Sequence, residues 1–384
     1  MRKKVFYNLL LFLAFSIISN AGNITSSNIL TNAEYTISLD RQTISIAIGE
    51  RTKLIPTVKR NGQRINFKDY KLNVTTDQNI SILNEGADSI IHLIGMNKGE
   101  AEIKINLVGE KANTKCNVKV EKRTIKILAI GNSFSDDAIE HYLWNIAKAD
   151  SIDLIIGNMY IGGCSLAKHV HNAENNLNSY SYHKIVNGER TYRENTNLAY
   201  VFQDEDWDYI SLQEVSQQSG IYFFYEINLP KLVDYVQTQA PDATLMLHQT
   251  WAYAKDSEHS GFTNYNNDQD LMYKSIVSAV RQAANLAHID VIIPTGTAIQ
   301  NGRTSSLNDT FCRDGYHLDI SFGRYTASCT WFNKIFNRSV INNSYLPNFS
   351  KWRIDMARYA AKYAVDKPYE VTKLIKFQVT EPKF

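Results

Sequence analysis

The stretch Ile125-Lys-Ile-Leu-Ala-Ile-Gly-Asn-Ser-Phe-Ser135 decides the fold, because it changes from a strand pattern to a helix pattern within a few residues. Its apolar residues first alternate and then run continuously up to Gly131, which is typical of a strand buried on both faces of a parallel sheet. Asp136 and Asp137 then open an amphipathic segment, as acidic residues do at the positive end of a helix. Ser133 is therefore predicted on a tight turn at the carboxyl edge of a sheet, where α/β folds carry their chemistry.

A second stretch, residues 311–319, can supply the partners of a serine nucleophile. Asp314 and His317 lie three residues apart across a glycine, so a turn can bring the carboxylate to Nδ1 and leave Nε2 facing Ser133. Each motif also has an ordinary explanation, because Gly-x-Ser is common in turns and Asp-x-x-His is compatible with a surface turn or a metal pair. Together the two motifs predict a catalytic triad of Ser133, His317 and Asp314.

These two motifs carry a resemblance to a known superfamily. Gly131-Asn-Ser-Phe-Ser135 resembles the first motif of the SGNH (GDSL-type) hydrolases, usually Gly-Asp-Ser-Leu-Ser, and Asp314-Gly-Tyr-His317 resembles their last motif, Asp-x-x-His. The resemblance covers residues 124–384. Within the superfamily, the sequence is similar in detail to a secreted bacterial branch. It implies a flavodoxin-like three-layer α/β/α fold with about five parallel strands, and a serine esterase that uses no cofactor and no metal.

The resemblance also implies an oxyanion hole. In this superfamily the donors are the amide of the nucleophile, the amide of a glycine in the second motif and the side chain of an asparagine in the third. By position these roles fall on Ser133, Gly163 and Gln213. The third motif departs from the usual Gly-x-Asn-Asp, and Gln213 is expected to make the same donation from one methylene further away. Gly163 has the alternative role of a turn residue that needs a positive φ.

Several polar and aromatic residues follow the predicted strands. The candidate substrate contacts are Asn132, Glu214, Trp251 and Tyr253. Glu214 has the alternative of an exposed acid at a strand end. His248 is a second candidate base, but no carboxylate at a suitable spacing accompanies it. His169 and His171 would lie on different faces of a helix, so we expect no metal site there.

The rest of the second half alternates strand and helix patterns. The predicted strands are residues 125–131, 152–161, 208–214, 243–249 and 289–294, and the predicted helices include 229–240, 271–287, 322–336 and 351–366. This alternation implies a parallel sheet with right-handed crossovers. Residues 172–197 are polar and rich in Tyr and Asn, and are predicted to form an irregular insertion over the rim of the site.

Residues 35–121 have an all-β pattern, with short alternating runs separated by turn signals such as Asn61-Gly62. The segment resembles bacterial Ig-like (group 2) domains, which implies a small β-sandwich that acts as a spacer or as a docking module contacting a glycan or a cell surface. Residues 121–124 are predicted to be a short polar hinge into the catalytic domain, residues 124–384.

The beginning of the chain predicts export. Within residues 1–21, basic residues precede a short apolar run and small residues that allow cleavage near Ala21, as in a secretory signal peptide. The apolar run is short for a membrane span. We therefore expect a periplasmic or extracellular protein with no stable membrane span. Cys312 and Cys329 flank the Asp314–His317 motif, and either a disulfide or two free thiols is compatible with the sequence.

Composition narrows the function. The net charge of +2 favours no class of partner, but the absence of a basic block with interleaved aromatics argues against nucleic acid. The resemblance to the SGNH hydrolases, together with the predicted export, implies a secreted serine esterase whose substrate is an O-acetylated carbohydrate or another small ester. Two alternatives stay open: a non-catalytic secreted glycan-binding or adhesion protein, and an acyltransferase that uses the same site.

Overall fold

The structure is a computed structural model that describes residues 33–83 and 90–381. The predicted signal peptide, residues 1–21, lies outside the described residues. None of the helices within the described ranges combines the length and the apolar composition that a membrane span requires.

Residues 33–83 and 90–121 form a β-rich region. Its strands in these ranges are β1 (Tyr35–Leu39), β2 (Thr43–Ala47), β3 (Arg51–Leu54), β4 (Pro56–Arg60), β5 (Gln63–Arg64), β6 (Leu72–Thr75), β7 (Ile80–Leu83), β8 (Ile91–Gly95), β9 (Gly99–Leu107) and β10 (Asn113–Glu121). They form three small sheets with the orders β1-β4-β5, β2-β10-β9-β6 and β3-β8-β7. Apolar side chains of the second and third sheets share one hydrophobic cluster, so the region has its own core.

The chain then alternates strands and helices. The strands are β11 (Ile125–Gly131), β12 (Leu154–Tyr160), β13 (Tyr180–Val186), β14 (Glu189–Thr196), β15 (Tyr209–Leu212), β16 (Thr244–His248) and β17 (Val291–Ile293). The α-helices are α1 (Ser133–Ile139), α2 (Leu143–Ala149), α3 (Leu166–Glu174), α4 (Leu198–Asp204), α5 (Tyr222–Gln239), α6 (Gln269–Leu286), α7 (Thr295–Arg303), α8 (Phe322–Phe336) and α9 (Lys351–Asp366). Short 3-10 helices lie at Phe67–Asp69, Ser260–Tyr265, Val340–Asn342 and Ile375–Phe377.

Within residues 125–381 the strands form a mixed sheet of seven strands in the order β14-β13-β12-β11-β15-β16-β17. The five strands from β12 to β17 in this order pair in parallel, which confirms the predicted parallel sheet. Helices α1, α2 and α8 pack together, as do α3, α5 and α6, so helices flank the sheet. In the sheet, β11 lies between β12, which follows it in the chain, and β15, so the strand order reverses at β11. The carboxyl end of β11 is therefore a topological switch point, where open α/β sheets bind ligands.

The prediction of an irregular insertion at residues 172–197 is wrong. Strands β13 and β14 form an antiparallel hairpin that extends the sheet beyond β12. Asn187 and Gly188 connect them with φ of 53° and 85°. An Asn-Gly pair with two positive φ values is typical of a type I′ turn, the strongest short-range hairpin signal. The signal was present in the sequence, but the polar residues around it favoured a loop.

The predicted hinge at residues 121–124 is held in place by hydrogen bonds and ion pairs to both parts of the protein. The Arg123 guanidinium donates to the two carboxylate oxygens of Asp208 at 2.6 and 3.0 Å and pairs with Glu50 at 2.9 Å. The Tyr209 hydroxyl donates to the carbonyl oxygen of Gly49 at 2.6 Å, and Tyr209 is fully buried. Glu50 and Gly49 belong to the β-rich region, whereas Asp208 and Tyr209 belong to the mixed sheet. These contacts tie the two parts together around the connection.

We expect the β-rich region and the α/β part to unfold in a single cooperative transition. Arg51 of β3 donates to the carbonyl oxygen of Ile335 at 3.2 Å, and Arg338 contacts both the carbonyl oxygen of Met96 and the carboxylate of Asp150. Partly buried contacts of this kind couple the stability of neighbouring units. Calorimetry and intrinsic fluorescence should give coincident transitions. Two well-separated transitions would show that the β-rich region is an independent spacer.

Candidate active site

Ser133 lies at the turn between β11 and α1. The carbonyl oxygen of Asn132 accepts from the N–H groups of Ser135 and Asp136, and its side-chain oxygen accepts from that of Phe134 at 3.0 Å. Among the described residues, the N–H of Ser133 has no recorded acceptor, as is usual in the first turn of a helix. Gly131 is required because a Cβ there would come within 2.5 Å of the Ser135 hydroxyl. The turn therefore presents a hydroxyl and an unpaired amide on the same residue.

The loop between α7 and α8 brings His317 to this serine. The Ser133 Oγ and the His317 Nε2 are 2.9 Å apart, and the His317 Nδ1 and the Asp314 Oδ2 are 2.7 Å apart. The network assigns the Nδ1–H to the bond with Asp314, which leaves Nε2 to accept the serine proton. The structure thus joins the three side chains of the predicted triad into one hydrogen-bonded chain.

Asp314 is held in its ionised form. Partial burial opposes ionisation, but hydrogen bonds from the His317 ring and from the backbone N–H groups of His317 and Tyr316 keep the pKa of Asp314 below its ordinary value. Its Oδ1 accepts from these backbone groups at 2.7 and 3.2 Å while Oδ2 faces the ring. The carboxylate therefore fixes the loop and the orientation of the imidazole at once.

Asp137, on α1, anchors the same loop from the side of the serine. This fully buried carboxylate accepts from the N–H of Leu318 at 2.8 Å, from Arg313 at 3.1 Å and from Arg324 at 2.7 Å. Leu318 follows His317 directly, and Arg313 precedes Asp314. The sequence indicated Asp137 only as an acid at a helix start, because its partners lie more than 170 residues away.

The placement of Gln213 corrects the predicted oxyanion hole. Its Nε2 donates to the Asn132 Oδ1 at 2.7 Å, and its Oε1 accepts from the His248 Nδ1 at 2.8 Å. Gln213 is 1% exposed and is absent from the cavity lining. Its amide is committed to the turn that carries Ser133 rather than to a ligand. His248 is no second base, because it is fully buried, does not line the cavity, and has its Nε2 3.0 Å from the Thr295 Oγ1. Its burial also lowers its pKa to about 3.

Gly163 is the predicted second donor of the oxyanion hole. It lines the same cavity as Ser133, with φ of 61°, so the predicted turn role and the predicted donor role both fit its position. The loop is tied to the serine turn, because the Asn132 Nδ2 donates to the carbonyl oxygen of Cys164 at 3.0 Å. Asn132 was predicted as a substrate contact. It borders the cavity, but its side-chain nitrogen and oxygen are both engaged in internal hydrogen bonds.

Trp251 and Tyr253 lie beneath the site, which corrects their prediction as substrate contacts. Both are fully buried. Trp251 stacks on Phe134 with a centroid distance of 4.1 Å and donates its Nε1–H to the carbonyl oxygen of Tyr316 at 2.7 Å. The Tyr253 hydroxyl bonds to that of Ser216 at 2.7 Å. Sequence pattern alone does not separate an aromatic residue that lines a pocket from one that supports its floor.

Glu214 is also fully buried and does not itself line the cavity, which corrects its prediction as a substrate contact. Its Oε1 accepts from the N–H groups of Leu166 at 2.9 Å and Val215 at 2.7 Å, which joins two loops of the site. Burial raises the pKa of Glu214 to about 7, against the lowering effect of these two hydrogen bonds. The Glu214 carboxyl group therefore links two loops of the site, and its pKa is raised above the ordinary value.

This pKa predicts a specific pH dependence of stability. The folded protein holds the Glu214 proton to higher pH than the unfolded chain does, so the stability from this group is present below its ordinary pKa and is lost as pH rises through about 7. Relative to Glu214→Gln, wild-type unfolding free energy should fall by roughly 2–3 kcal/mol between pH 5 and pH 8. Denaturant titrations of both proteins test this, and parallel pH curves would contradict it.

The cavity over the serine has a volume of about 260 Å³. Sequence reasoning did not assign several of its lining residues, because they lie at a strand end, in loops without a motif or between the two named residues of the last motif: Tyr160, Ser216, Gln217, His259 and Tyr316. The His259 ring packs 4.8 Å from that of Tyr316, and burial together with the charge of His317 lowers the pKa of His259. The His259 Nδ1 accepts from the N–H of Gly261, so it is occupied by its own loop.

At α1, two clusters of three side chains are close enough together to hold a metal ion. The first is Asp136, Glu140 and His183, and the second is Asp136, Asp137 and His141. Arginines already neutralise both. Arg190 lies 3.2 Å from the Glu140 carboxylate, and Arg324 lies 2.7 Å from that of Asp137. These groups are therefore ion-pair networks that fix α1.

The four cysteines all lie in the described part of the chain and are free thiols, so Cys312 and Cys329 are not bonded.

Comparison with known proteins gives a family but no activity. The model of a domain of unknown function, DUF4886, matches residues 126–364. A DUF4886 family protein from Bacteroides uniformis is 50% identical, with 66% of this chain and 100% of that chain covered and a TM-score of 0.66.

More distant matches include a protein described as a GDSL-like lipase from Parabacteroides merdae, at 13% identity, with 56% of this chain and 96% of that chain covered and a TM-score of 0.39. They also include TesA, at 11% identity, with 55% and 99% covered and a TM-score of 0.36. At these scores neither supports an argument about function. No curated protein matches the chain.

Proposed function

The chain belongs to the DUF4886 family, and from this premise and the geometry of its site we propose that it is a serine ester hydrolase. The observation that carries the proposal is the chain of hydrogen bonds from Ser133 through His317 to Asp314, at 2.9 and 2.7 Å. A hydroxyl bonded to an imidazole that a carboxylate orients is the arrangement of an activated nucleophile. The sequence motifs around Ser133 and around Asp314 and His317 also support membership of the SGNH-type hydrolases.

The reaction begins when the His317 Nε2 takes the proton of Ser133 as its Oγ attacks the acyl carbon of the ester. Asp314 stabilises the imidazolium that forms. The tetrahedral intermediate collapses, the C–O bond to the alcohol breaks, and His317 returns the proton to the leaving oxygen. Water then loses a proton to His317 and attacks the acyl-serine, which releases the carboxylic acid and restores Ser133.

The oxyanion of both intermediates needs donors beside Ser133. The N–H of Ser133 is unpaired among the described residues, and Gly163 lines the same cavity, so their two amides are the proposed hole. Loss of one such donor typically costs about 3 kcal/mol of transition-state stabilisation. Gln213 contributes indirectly, because it holds the side chain of Asn132 at 2.7 Å.

The acyl group is proposed to be short, with acetyl as the first candidate. The cavity of about 260 Å³ is small, and Ser216, Gln217 and two histidines give it a polar share of lining beside the apolar Phe134 and Val215, which suits a short acyl group better than a long chain. The proposed substrate is an O-acetylated carbohydrate. The proposal includes export by the signal peptide of residues 1–21, an Ig-like domain at residues 35–121 and a hydrolase domain at residues 124–384.

A chain-length series tests the activity and the acyl preference together. We expect purified protein to hydrolyse 4-nitrophenyl acetate with a kcat/KM at least about tenfold above that for the octanoate. Equal values would contradict a short acyl site, and no hydrolysis of any ester would contradict the esterase. Product analysis with an added sugar acceptor separates hydrolysis from acyl transfer, because only transfer yields the acylated acceptor.

A further inference from the structure

A row of three rings leads from the cavity to the edge of the sheet. Tyr160 lines the cavity, and its ring stacks on His183 with a centroid distance of 4.9 Å. The His183 ring contacts that of Tyr192 at 4.7 Å, edge to face. The three residues lie on adjacent strands β12, β13 and β14, and His183 and Tyr192 are direct cross-strand partners. We call Tyr160, His183 and Tyr192 the aromatic row.

The aromatic row is exposed at its outer end but held in place. Tyr192 is 58% exposed, although a large apolar ring on a strand normally gains from burial. Arg190 donates to the Tyr192 hydroxyl at 3.2 Å, and His183 is bonded to Glu140 at 2.8 Å. An exposed ring fixed in this way loses little conformational entropy when a ligand packs on it.

The surroundings of the row favour a neutral, hydroxyl-rich ligand. Strand β14 has two acids, Glu189 and Glu194, and two bases, Arg190 and Arg193, so its formal charges balance. Beside the row, the Ser181 hydroxyl donates to the Glu194 carboxylate at 2.6 Å, which still has acceptor capacity. Aromatic faces pack against the C–H faces of a ligand, while neighbouring carboxylates and guanidinium groups bond to its hydroxyls.

We propose that the aromatic row is a subsite for the sugar chain of the ester substrate, with Tyr192 as its outer contact. The inference rests on the proposed esterase function, because the sugar that bears the acyl group would sit at Tyr160 with the acyl group over Ser133. The chain then runs across β13 to the edge strand. The hairpin thus sets the specificity for polymeric over small esters.

Substitution of Tyr192 tests the proposal with two substrates. For Tyr192→Ala, kcat/KM on chemically O-acetylated xylan should fall roughly tenfold, mainly through KM, because a ring contact is lost. Its activity on 4-nitrophenyl acetate should remain within about twofold of wild type. Tyr192→Phe keeps the ring and loses only the hydrogen bond from Arg190, so its activity on the polymer should lie much closer to wild type than that of Tyr192→Ala, with unchanged activity on the aryl ester. Phe223→Ala removes an equally exposed ring on α5, at 58% exposure, and is the matched control.

Each outcome decides. Unchanged turnover of the acetylated xylan by Tyr192→Ala would overturn the subsite, as would an equal loss in Phe223→Ala. If wild type cleaves the aryl ester but releases no acetate from the polymer, the subsite is rejected and the esterase stands. If wild type cleaves neither, the proposed function fails with it.

Discussion

Ser133→Ala is expected to abolish ester hydrolysis and to lower kcat for 4-nitrophenyl acetate by about 10³-fold or more. The reason is geometric: the Ser133 Oγ lies 2.9 Å from the His317 Nε2. The substitution removes the attacking oxygen and leaves binding and the oxyanion donors, which alone give limited catalysis. Steady-state kinetics measure the loss.

Ser135→Ala is the matched control, because it removes a hydroxyl from the same turn. The Ser135 Oγ is buried and donates to the carbonyl oxygen of Asn132 at 2.7 Å, so it faces away from the cavity. We expect this variant to keep turnover within about tenfold of wild type. Wild-type turnover in Ser133→Ala would show that another group attacks the ester.

Asp137→Asn is expected to reduce kcat about 100-fold, because a displacement of roughly 1 Å in a positioned group can have an effect of this size. The carboxylate is 0% exposed and joins α1 to both Arg313 and the N–H of Leu318. Asn can keep one acceptor, but it removes the charge that faces Arg313 and Arg324. The loop that holds Asp314 and His317 should therefore shift relative to the serine.

A positional role for Asp137 makes a finer prediction than simple destabilisation. KM for a small ester should change less than kcat, because Tyr316 and His317 are the cavity-lining residues on this loop, whereas Gly163 and Gln217 belong to other loops. Breaking a buried ion pair also costs about 3–5 kcal/mol of stability, so activity must be measured where the variant is folded. A folded Asp137→Asn protein with wild-type kcat would remove this residue from the account.

The strand-turn-helix unit and the Asp314–His317 turn could be predicted because both are local. The apolar run of β11 is buried at every aliphatic position, as its continuous pattern indicated. The spacing of Asp314 and His317 allows one carboxylate to bond both the ring and the backbone N–H of His317, and the structure has both bonds. Such features depend on a few neighbouring residues, which a sequence displays directly.

The directions of the remaining side chains could not be predicted, because they depend on partners from distant strands. Gln213 turns towards Asn132 because His248, on the neighbouring strand, bonds its other end. Trp251 is beneath the site because Phe134 offers it a parallel ring at 4.1 Å. Because Gln213 and Trp251 follow the carboxyl ends of strands, the sequence indicated both as ligand contacts. Only the packing distinguishes a side chain that donates to the substrate from one that supports the site from below.

The most direct test of the account is to locate the adduct of a fluorophosphonate probe by mass spectrometry. This probe reacts with a serine whose hydroxyl a neighbouring base activates. The account predicts one adduct, on Ser133, in wild type and in Ser135→Ala, and none in His317→Gln. An unmodified wild-type protein, or an adduct on another residue, would contradict the assignment of Ser133 as an activated nucleophile.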